Sequence, residues 1–214
     1  MGFFDKLFGG KAASETKFSG QKMTVMLPID GKVIPLEQLP DETFASAILG
    51  PGCGVEPTGD TVYAPFDGTV TQVPESLHAV GMMSDDGIEL LIHVGMDTVE
   101  MKGQGFTSLT KEGAKVKAGT PLLKVDLEAI RAAGHPTATA LIVTNSDDLP
   151  EISVAANGDA AAGTPVFKFK KLVSRPPGGR VLSGDFCGEK SYLFAKKAVF
   201  CAIFSCIAGG VVLE

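Results

Sequence analysis

Between Met23 and Lys171 the chain is written mostly in short runs that alternate apolar and polar positions. In "GIELLIHVG", Ile88, Leu90, Ile92 and Val94 face one way, and Glu89, Leu91 and His93 the other. That two-residue period is the mark of a strand with two different faces. "KMTVMLP", "TPLLKVD", "TATALIVTN" and "GTPVFKFKK" are further strand-like runs, and "TVYAPFDGTVTQV" holds two strand pieces around the turn signal "PFDG". Asp85-Asp86-Gly87 marks a reversal just before the alternating run. Strands this short, punctuated this often, predict an all-β fold: an antiparallel β-sandwich or flattened barrel with short helical turns.

Helical signals are few. Asp126 is placed to cap the orphan N–H groups of "LEAIRAA", and Gly134 stands where a left-handed C-terminal residue is wanted. "DETFASAIL", capped by Asp41, predicts a second short helix or turn. "GPGCG", Gly50–Gly54, reads as a turn between strands. It is not a phosphate-binding P-loop, because no Lys-Ser or Lys-Thr follows.

The two ends depart from this pattern. In residues 1–20, "FFDKLF" gathers Phe3, Phe4, Leu7 and Phe8 on one side of a helical turn. This predicts an amphipathic N-terminal tether, able to rest on a membrane surface. The start Met1-Gly2 is not read as a myristoylation signal, since Lys6 replaces the favoured hydroxyl residue. After "RPPGG" the composition shifts, and residues 172–214 read as a C-terminal extension of unknown role. Its apolar run, Ala198–Leu213, is sixteen residues long, short of the roughly 20 that span a bilayer. The division is therefore 1–20 tether, 21–171 domain, 172–214 extension.

Charge narrows the function. The 214 residues carry a formal net charge of -6, which argues against nucleic-acid binding, because that needs a basic face. Of four cysteines, Cys187, Cys201 and Cys206 lie in the extension, and only Cys53 lies in the domain. No Cys-x-x-Cys pair occurs, and no secretory signal is visible, so a cytoplasmic setting is expected, with membrane contact through the N-terminus.

The chain has three histidines, and His78 and His93 are fifteen positions apart around the Asp85–Gly87 reversal. A hairpin there places them across from each other, where Cβ atoms are roughly 5 Å apart. Two imidazoles at one spot suggest three chemistries: binding a metal, acid/base catalysis, or passing a phosphoryl group. A lone buried histidine is ordinarily just satisfied by a backbone carbonyl; here Glu89 shares the strand face, so that face is not purely apolar. His135, before Pro136 at a helix end, reads as structural.

"LLIHVGMDTVEMKGQGF", "APFDGTV", the His78-to-His93 spacing and "TPVFKFKK" resemble the enzyme IIA domain of the glucose family of the bacterial sugar phosphotransferase system, over about residues 21–171. The "MGFFDKLF" start resembles the membrane-touching N-terminus of free-standing members, so a free-standing component is expected. The resemblance implies that His93 accepts a phosphoryl group from the phosphocarrier protein HPr and hands it to a cysteine of enzyme IIB. It implies that His78 steadies the phosphate. Ser76 corresponds to the hydroxyl residue before His78, and Asp97 to the acidic residue past the nucleophile. Phe44, Ile48, Leu49 and Val99 are candidates for the apolar surface that docks HPr. The sugar would be recognised by a separate, membrane-embedded component. The sequence departs from the glucose-type pattern at Pro74, Leu77 and Gly81, which bears on partner choice.

Phosphoryl transfer asks a protein for positioning and charge stabilisation, and a neutral imidazole near pH 7 is a competent nucleophile. One ring nitrogen must be open; the other should donate to a carbonyl, which fixes the tautomer. Other functions compete with this one. A biotinyl or lipoyl carrier is suggested by "APFDGTVTQV", "EGAKVKAGTPLLKVD" and Lys102 in "VEMKG", but Gly103 stands where the biotin pattern wants methionine, and the histidines go unused. A zinc site from His78, His93 and an acid lacks a His-Glu-x-x-His motif. The two histidines would hold zinc only opportunistically, with a partner's carboxylate as a further ligand, and no cofactor is required. A regulatory module is compatible with the carrier, because a phosphate of about two negative charges at His93 would select among protein partners.

Overall fold

The alternation of "GIELLIHVG" sorts two cores onto the two faces of one strand. The computed structural model describes residues 18–169, and that strand is Glu89–Val94. Ile88, Leu90, Ile92 and Val94 enter the main apolar core, whereas Leu91 belongs to a second, smaller one on the opposite face.

In chain order the elements are β1 (Thr24–Met26), β2 (Gly31–Ile34), α1 (Glu42–Ala45), β3 (Gly52–Pro57), β4 (Thr61–Tyr63), β5 (Gly68–Gln72), β6 (Ala79–Ser84) and β7 (Glu89–Val94). Then come β8 (Phe106–Ser108), β9 (Lys115–Val116), β10 (Pro121–Val125), α2 (Leu127–Ala132), β11 (Thr139–Val143), β12 (Ile152–Val154), β13 (Gly158–Ala160) and β14 (Pro165–Phe169). A large sheet runs in the order β13-β2-β3-β11-β7-β6-β5-β9, and two three-stranded sheets run β1-β14-β12 and β4-β10-β8. The strand pairs are antiparallel throughout, so the fold is the expected all-β sandwich with short helical turns.

The main core lies between the large sheet and the two small ones. Val25, Val62, Leu122, Val166 and Phe167 from the small sheets meet Val55, Val70, Met82 and Leu141 from the large one. Burying each large apolar side chain contributes about 1.5–3 kcal/mol, which makes this face the source of most of the stability. The second core, on the outer face of the large sheet, gathers Ile34, Leu36, Leu39, Phe44, Ala79, Leu91, Met96, Ala140 and Ile142. Its cover is α1 with the short 3-10 turn Leu36–Gln38 before it.

Local signals act as expected at both helices. The Asp41 carboxylate accepts from Phe44 N at 3.1 Å, and that of Asp126 accepts from Glu128 N and Ala129 N. Gly134 follows α2 with φ +87°, and His135 N closes the turn on Ile130 O, a structural place for His135. The reversal after β6 is also as expected: Gly87 has φ +87° and its N–H donates to Ser84 O.

One expectation needs correction in part. Only the start of "GPGCG" is a turn, where Gly50, with φ +127°, donates its N–H to Ala47 O; Gly52–Pro57 is strand β3, paired with β2 and β11 inside the large sheet. The glycines there allow close strand approach, not a bend. A Cβ on Gly52 would lie 2.1 Å from the Leu141 carbonyl oxygen, and one on Gly54 2.8 Å from Ile34 and Leu39. The two pieces of "TVYAPFDGTVTQV" are strands β4 and β5, as expected, and they enter different sheets, so "PFDG" crosses between layers. Cys53, alternating with these glycines, is buried, and burial pushes its thiol up to about 12, which leaves it unreactive.

Phe18, inside the expected tether, packs on Tyr63 with ring centroids 5.7 Å apart. The rest of the tether, the extension, its three cysteines and the Ala198–Leu213 run lie outside the described residues. Among the described residues no helix is long and apolar enough to cross a membrane.

Gly52→Ala should destabilise the protein by about 1–3 kcal/mol, since the new methyl group meets backbone that cannot turn away. A drop in melting temperature of several degrees in a thermal melt checks this.

Candidate functional site

A row of small residues crosses the large sheet on its outer face and makes room for one imidazole. In register, Ile34 of β2 pairs Gly54 of β3, Gly54 pairs Ala140 of β11, Ala140 pairs His93 of β7, and His93 pairs Ala79 of β6. His93 therefore has alanine on both sides and glycine one strand further. Larger side chains there would fill the hollow. Phe44 does fill part of it: its ring is buried and its centroid lies 4.9 Å from that of His93, tilted by 52°.

His78 reaches the same spot, although not by the expected route. The residue across from His93 is Ala79, and β6 begins only there. His78 precedes the strand, after a turn in which Leu77 N donates to Pro74 O and Leu77 is left-handed, φ +54°. The His78 carbonyl accepts from Val94 N at 2.8 Å, which ties the two histidine segments together. The rings meet edge to face, with centroids 4.8 Å apart at 74°.

The hydrogen bonds distinguish the two nitrogens of His93. Nδ1 lies 2.8 Å from the Gly95 carbonyl oxygen. A carbonyl only accepts, so Nδ1 carries the proton and donates, and the lone pair of the neutral ring is on Nε2. Nε2 is buried and has no hydrogen-bond partner among the described residues. His93 thus has both features at once: the ordinary satisfaction of a core histidine at one nitrogen, and an open acceptor at the other. On His78, Nδ1 lies 2.7 Å from the Ser76 hydroxyl.

Burial pushes the His93 ring down to about 3, with the neighbouring His78 acting in the same direction and the Gly95 carbonyl opposing. Burial likewise pushes His78 down to about 4. Both imidazoles are neutral at pH 7, the state in which a ring nitrogen is nucleophilic.

The remaining sequence-predicted residues fall around this pair in different ways. Asp97 is exposed and left-handed, φ 57°, at the start of the 3-10 turn Thr98–Met101. Val99 in that turn and Leu49 are half-buried, and Ile48 is 78% exposed. Phe44 is the exception: at 1% exposure it cannot present a docking surface, and its place is as packing against His93. Sequence reasoning passes over Ala79, Ala140 and Gly54, which only the register unites, and Thr98, which is wholly buried. The Gly directly after "HV" is the one local signal of the carbonyl partner.

Lys102 does not suit a carrier. It is exposed but sits at the end of the 3-10 turn, and the flanking strands β7 and β8 belong to different sheets, so there is no hairpin tip. Among the described residues no group of three or more His, Cys, Asp or Glu converges as for a metal ion.

Comparison with known proteins agrees with this geometry. The family described as phosphoenolpyruvate-dependent sugar phosphotransferase system, EIIA 1, matches residues 23–149. The glucose-specific EIIA component of Halalkalibacterium halodurans is 40% identical over 75% of this chain and 93% of its own length. The mannose-specific EIIBCA component of Corynebacterium glutamicum is 41% identical over 73% of this chain, which spans only 23% of that longer protein. Glucose permease IIA from Mycoplasma capricolum superposes with a TM-score of 0.62 at 28% identity, covering 71% of this chain and 98% of that one. Two buried, neutral imidazoles on an antiparallel sandwich, in a chain matched by that family over most of its described length, make this protein a member of the EIIA 1 family of the phosphoenolpyruvate-dependent sugar phosphotransferase system.

Proposed function

We propose that this chain takes a phosphoryl group from phospho-HPr onto Nε2 of His93 and passes it to enzyme IIB during sugar uptake. The observation that carries the reading is the asymmetry of the His93 ring: Nδ1–H held by the Gly95 carbonyl, Nε2 buried without a partner. The Nε2 lone pair attacks phosphorus as the donor's N–P bond breaks, and the electron pair of that bond returns to the donor nitrogen. The ring then carries the phosphoryl group on Nε2 and a proton on Nδ1, and the Gly95 carbonyl faces the resulting positive charge. Transfer onward reverses these events toward the acceptor thiolate.

His78 is the second participant. In this reading the Ser76 hydroxyl donates to His78 Nδ1, so the His78 proton is on Nε2, from which it donates to the phosphoryl oxygens. That donor acts on charge that develops in transfer, in a setting where water is excluded. Asp97 is an exposed carboxylate beside the site, suited to a basic partner. Ile48, Leu49 and Val99 supply apolar docking surface for HPr and enzyme IIB. The EIIBCA names of the longer relatives, which place IIA with IIB and IIC components, support enzyme IIB as acceptor. Zinc between the two histidines would need further ligands from a partner.

Labelled phosphoenolpyruvate with enzyme I and HPr should label the wild type with acid-labile phosphate and leave His93→Ala unlabelled. His78→Ala should still accept label but pass it to enzyme IIB about 10²-fold more slowly, the scale of one lost donor at a developing charge. Ser76→Ala should cost less, about tenfold. An unlabelled wild type, with active partners, would overturn the reading.

The depressed pKa values set the pH dependence. By NMR, neither ring should titrate from about pH 8 to about pH 5, although free histidine has its midpoint near 6.5. Phosphoryl acceptance should therefore not fall with histidine protonation in that window. Stability should behave differently. Below about 6.5 the unfolded chain protonates these histidines while the folded one does not, so proton uptake favours unfolding. Their contribution should lower stability as pH falls from about 6.5 toward 4, as read from denaturant midpoints. A midpoint for His93 near 6.5 would refute the assignment of burial as its dominant influence.

A further inference from the structure

The carbonyl that selects the His93 tautomer belongs to the Gly95–Met96 peptide, and that peptide is held from several sides. Its C=O accepts from His93 Nδ1 at 2.8 Å, and its N–H, on Met96, donates to the Pro136 carbonyl at 3.0 Å. One amide plane thus links two hydrogen bonds in series. Each bond polarises the amide and strengthens the other. The segment just before is tied as well, since Val94 N donates to His78 O.

Thr98 closes the loop. Its hydroxyl donates to Val94 O at 2.7 Å, across the residues that contain the critical peptide, and the side chain is wholly buried. Its methyl group occupies the space beside Gly95. A Cβ on Gly95 would come within 2.4 Å of Thr98 Cγ2 and 3.0 Å of Pro136 O, and Gly95 has φ +74°. The loop therefore demands glycine at 95, and Thr98 fits against that glycine with both branches of its side chain.

We propose that Thr98 is a positioning residue for phosphoryl transfer: through the bond of its hydroxyl to Val94 O, it fixes the Gly95–Met96 peptide so that its carbonyl holds the proton of His93 on Nδ1 and leaves Nε2 as the nucleophile. This role rests on the phosphocarrier reading. It needs no contact between Thr98 and the phosphoryl group or the imidazole. Removing the hydroxyl frees the peptide to tilt. The His93 proton is then no longer confined to Nδ1, and the fraction of rings with an open Nε2 falls.

The test compares Thr98→Val, which keeps the shape and removes the hydroxyl, with Thr98→Ser, which keeps the hydroxyl and removes the methyl group. Two readouts are used on the full chain: ¹⁵N NMR of the His93 ring, which reports the tautomer directly, and the rate of labelling by phospho-HPr. Thr98→Val is expected to shift the His93 nitrogen signals toward a mixed tautomer and to slow labelling about fivefold to tenfold, the scale of one hydrogen bond. Thr98→Ser is expected to keep the single tautomer and recover most of the rate. Wild-type nitrogen shifts in Thr98→Val would overturn the proposal, as would a Thr98→Ser ring as mixed as that of Thr98→Val. If Thr98→Val does not fold, the Thr98→Ser spectrum decides alone: a single Nδ1–H tautomer supports the proposal and a mixed one overturns it. The tautomer is read without any phosphoryl donor. An unlabelled wild type would therefore count against the phosphocarrier reading, while the nitrogen shifts would still decide whether Thr98 sets the tautomer.

Discussion

The structure depends on burying a histidine with only one of its nitrogens satisfied. The bond from His93 Nδ1 to the Gly95 carbonyl makes this tenable. It anchors the ring, decides the tautomer and leaves a lone pair on Nε2 without a partner. A buried polar atom without a partner costs about 1–3 kcal/mol. A fold that tolerates this cost must have stability to spare elsewhere. Here it comes from the opposite face of the same sheet, where Leu90, Ile92 and Val94 lie in the main core. Alternation along one strand thus separates support from chemistry by the thickness of a sheet.

The small residues beside His93 follow from the same requirement. Ala79 and Ala140 flank it in register, and Gly54 lies one strand beyond. Together they leave a hollow deep enough for an imidazole with Phe44 against it. Depth then governs protonation. Withdrawn from water, the ring resists charge, and a second imidazole 4.8 Å away adds to the resistance. An exposed histidine would be partly protonated at the pH where a cell operates; this one stays neutral throughout that range.

What can be read in the sequence is local. The alternation of Ile88–Val94, the reversal at Asp85–Gly87 and the caps Asp41 and Asp126 each announce themselves within a few residues, and each is found in the fold. The meeting of His78 and His93 is also readable, because a hairpin brings the ends of its strands together. The off-by-one pairing is not, since it depends on the left-handed turn at Leu77 and on β6 starting at Ala79. Gly50–Gly54 misleads for a physical reason. Glycine serves turns and close strand packing equally well, and only neighbours distant in sequence, Leu141 and Ile34, decide between them. Phe44 stands out in the sequence only through its place in the family pattern. Its burial is not legible there, because it results from a four-residue helix folding over small residues on three different strands.

The two sides of His93 differ in how firmly they are built. Beneath it are paired central strands, and behind Nδ1 is a peptide whose two ends are both hydrogen-bonded. Over it lies α1, a single turn whose start is held by Asp41, its carboxylate accepting from Phe44 N and its carbonyl from Ala45 N. Nε2 has almost no accessible surface, so a phosphoryl group can reach it only if something covering the ring gives way. Local opening draws on the least supported elements of a structure. On the phosphocarrier reading this points to the four-residue α1 that carries Phe44 and to the turn before His78 rather than to the paired strands. The ring is thus held most firmly on its Nδ1 side, an arrangement that suits the proposed reversible transfer between two protein partners.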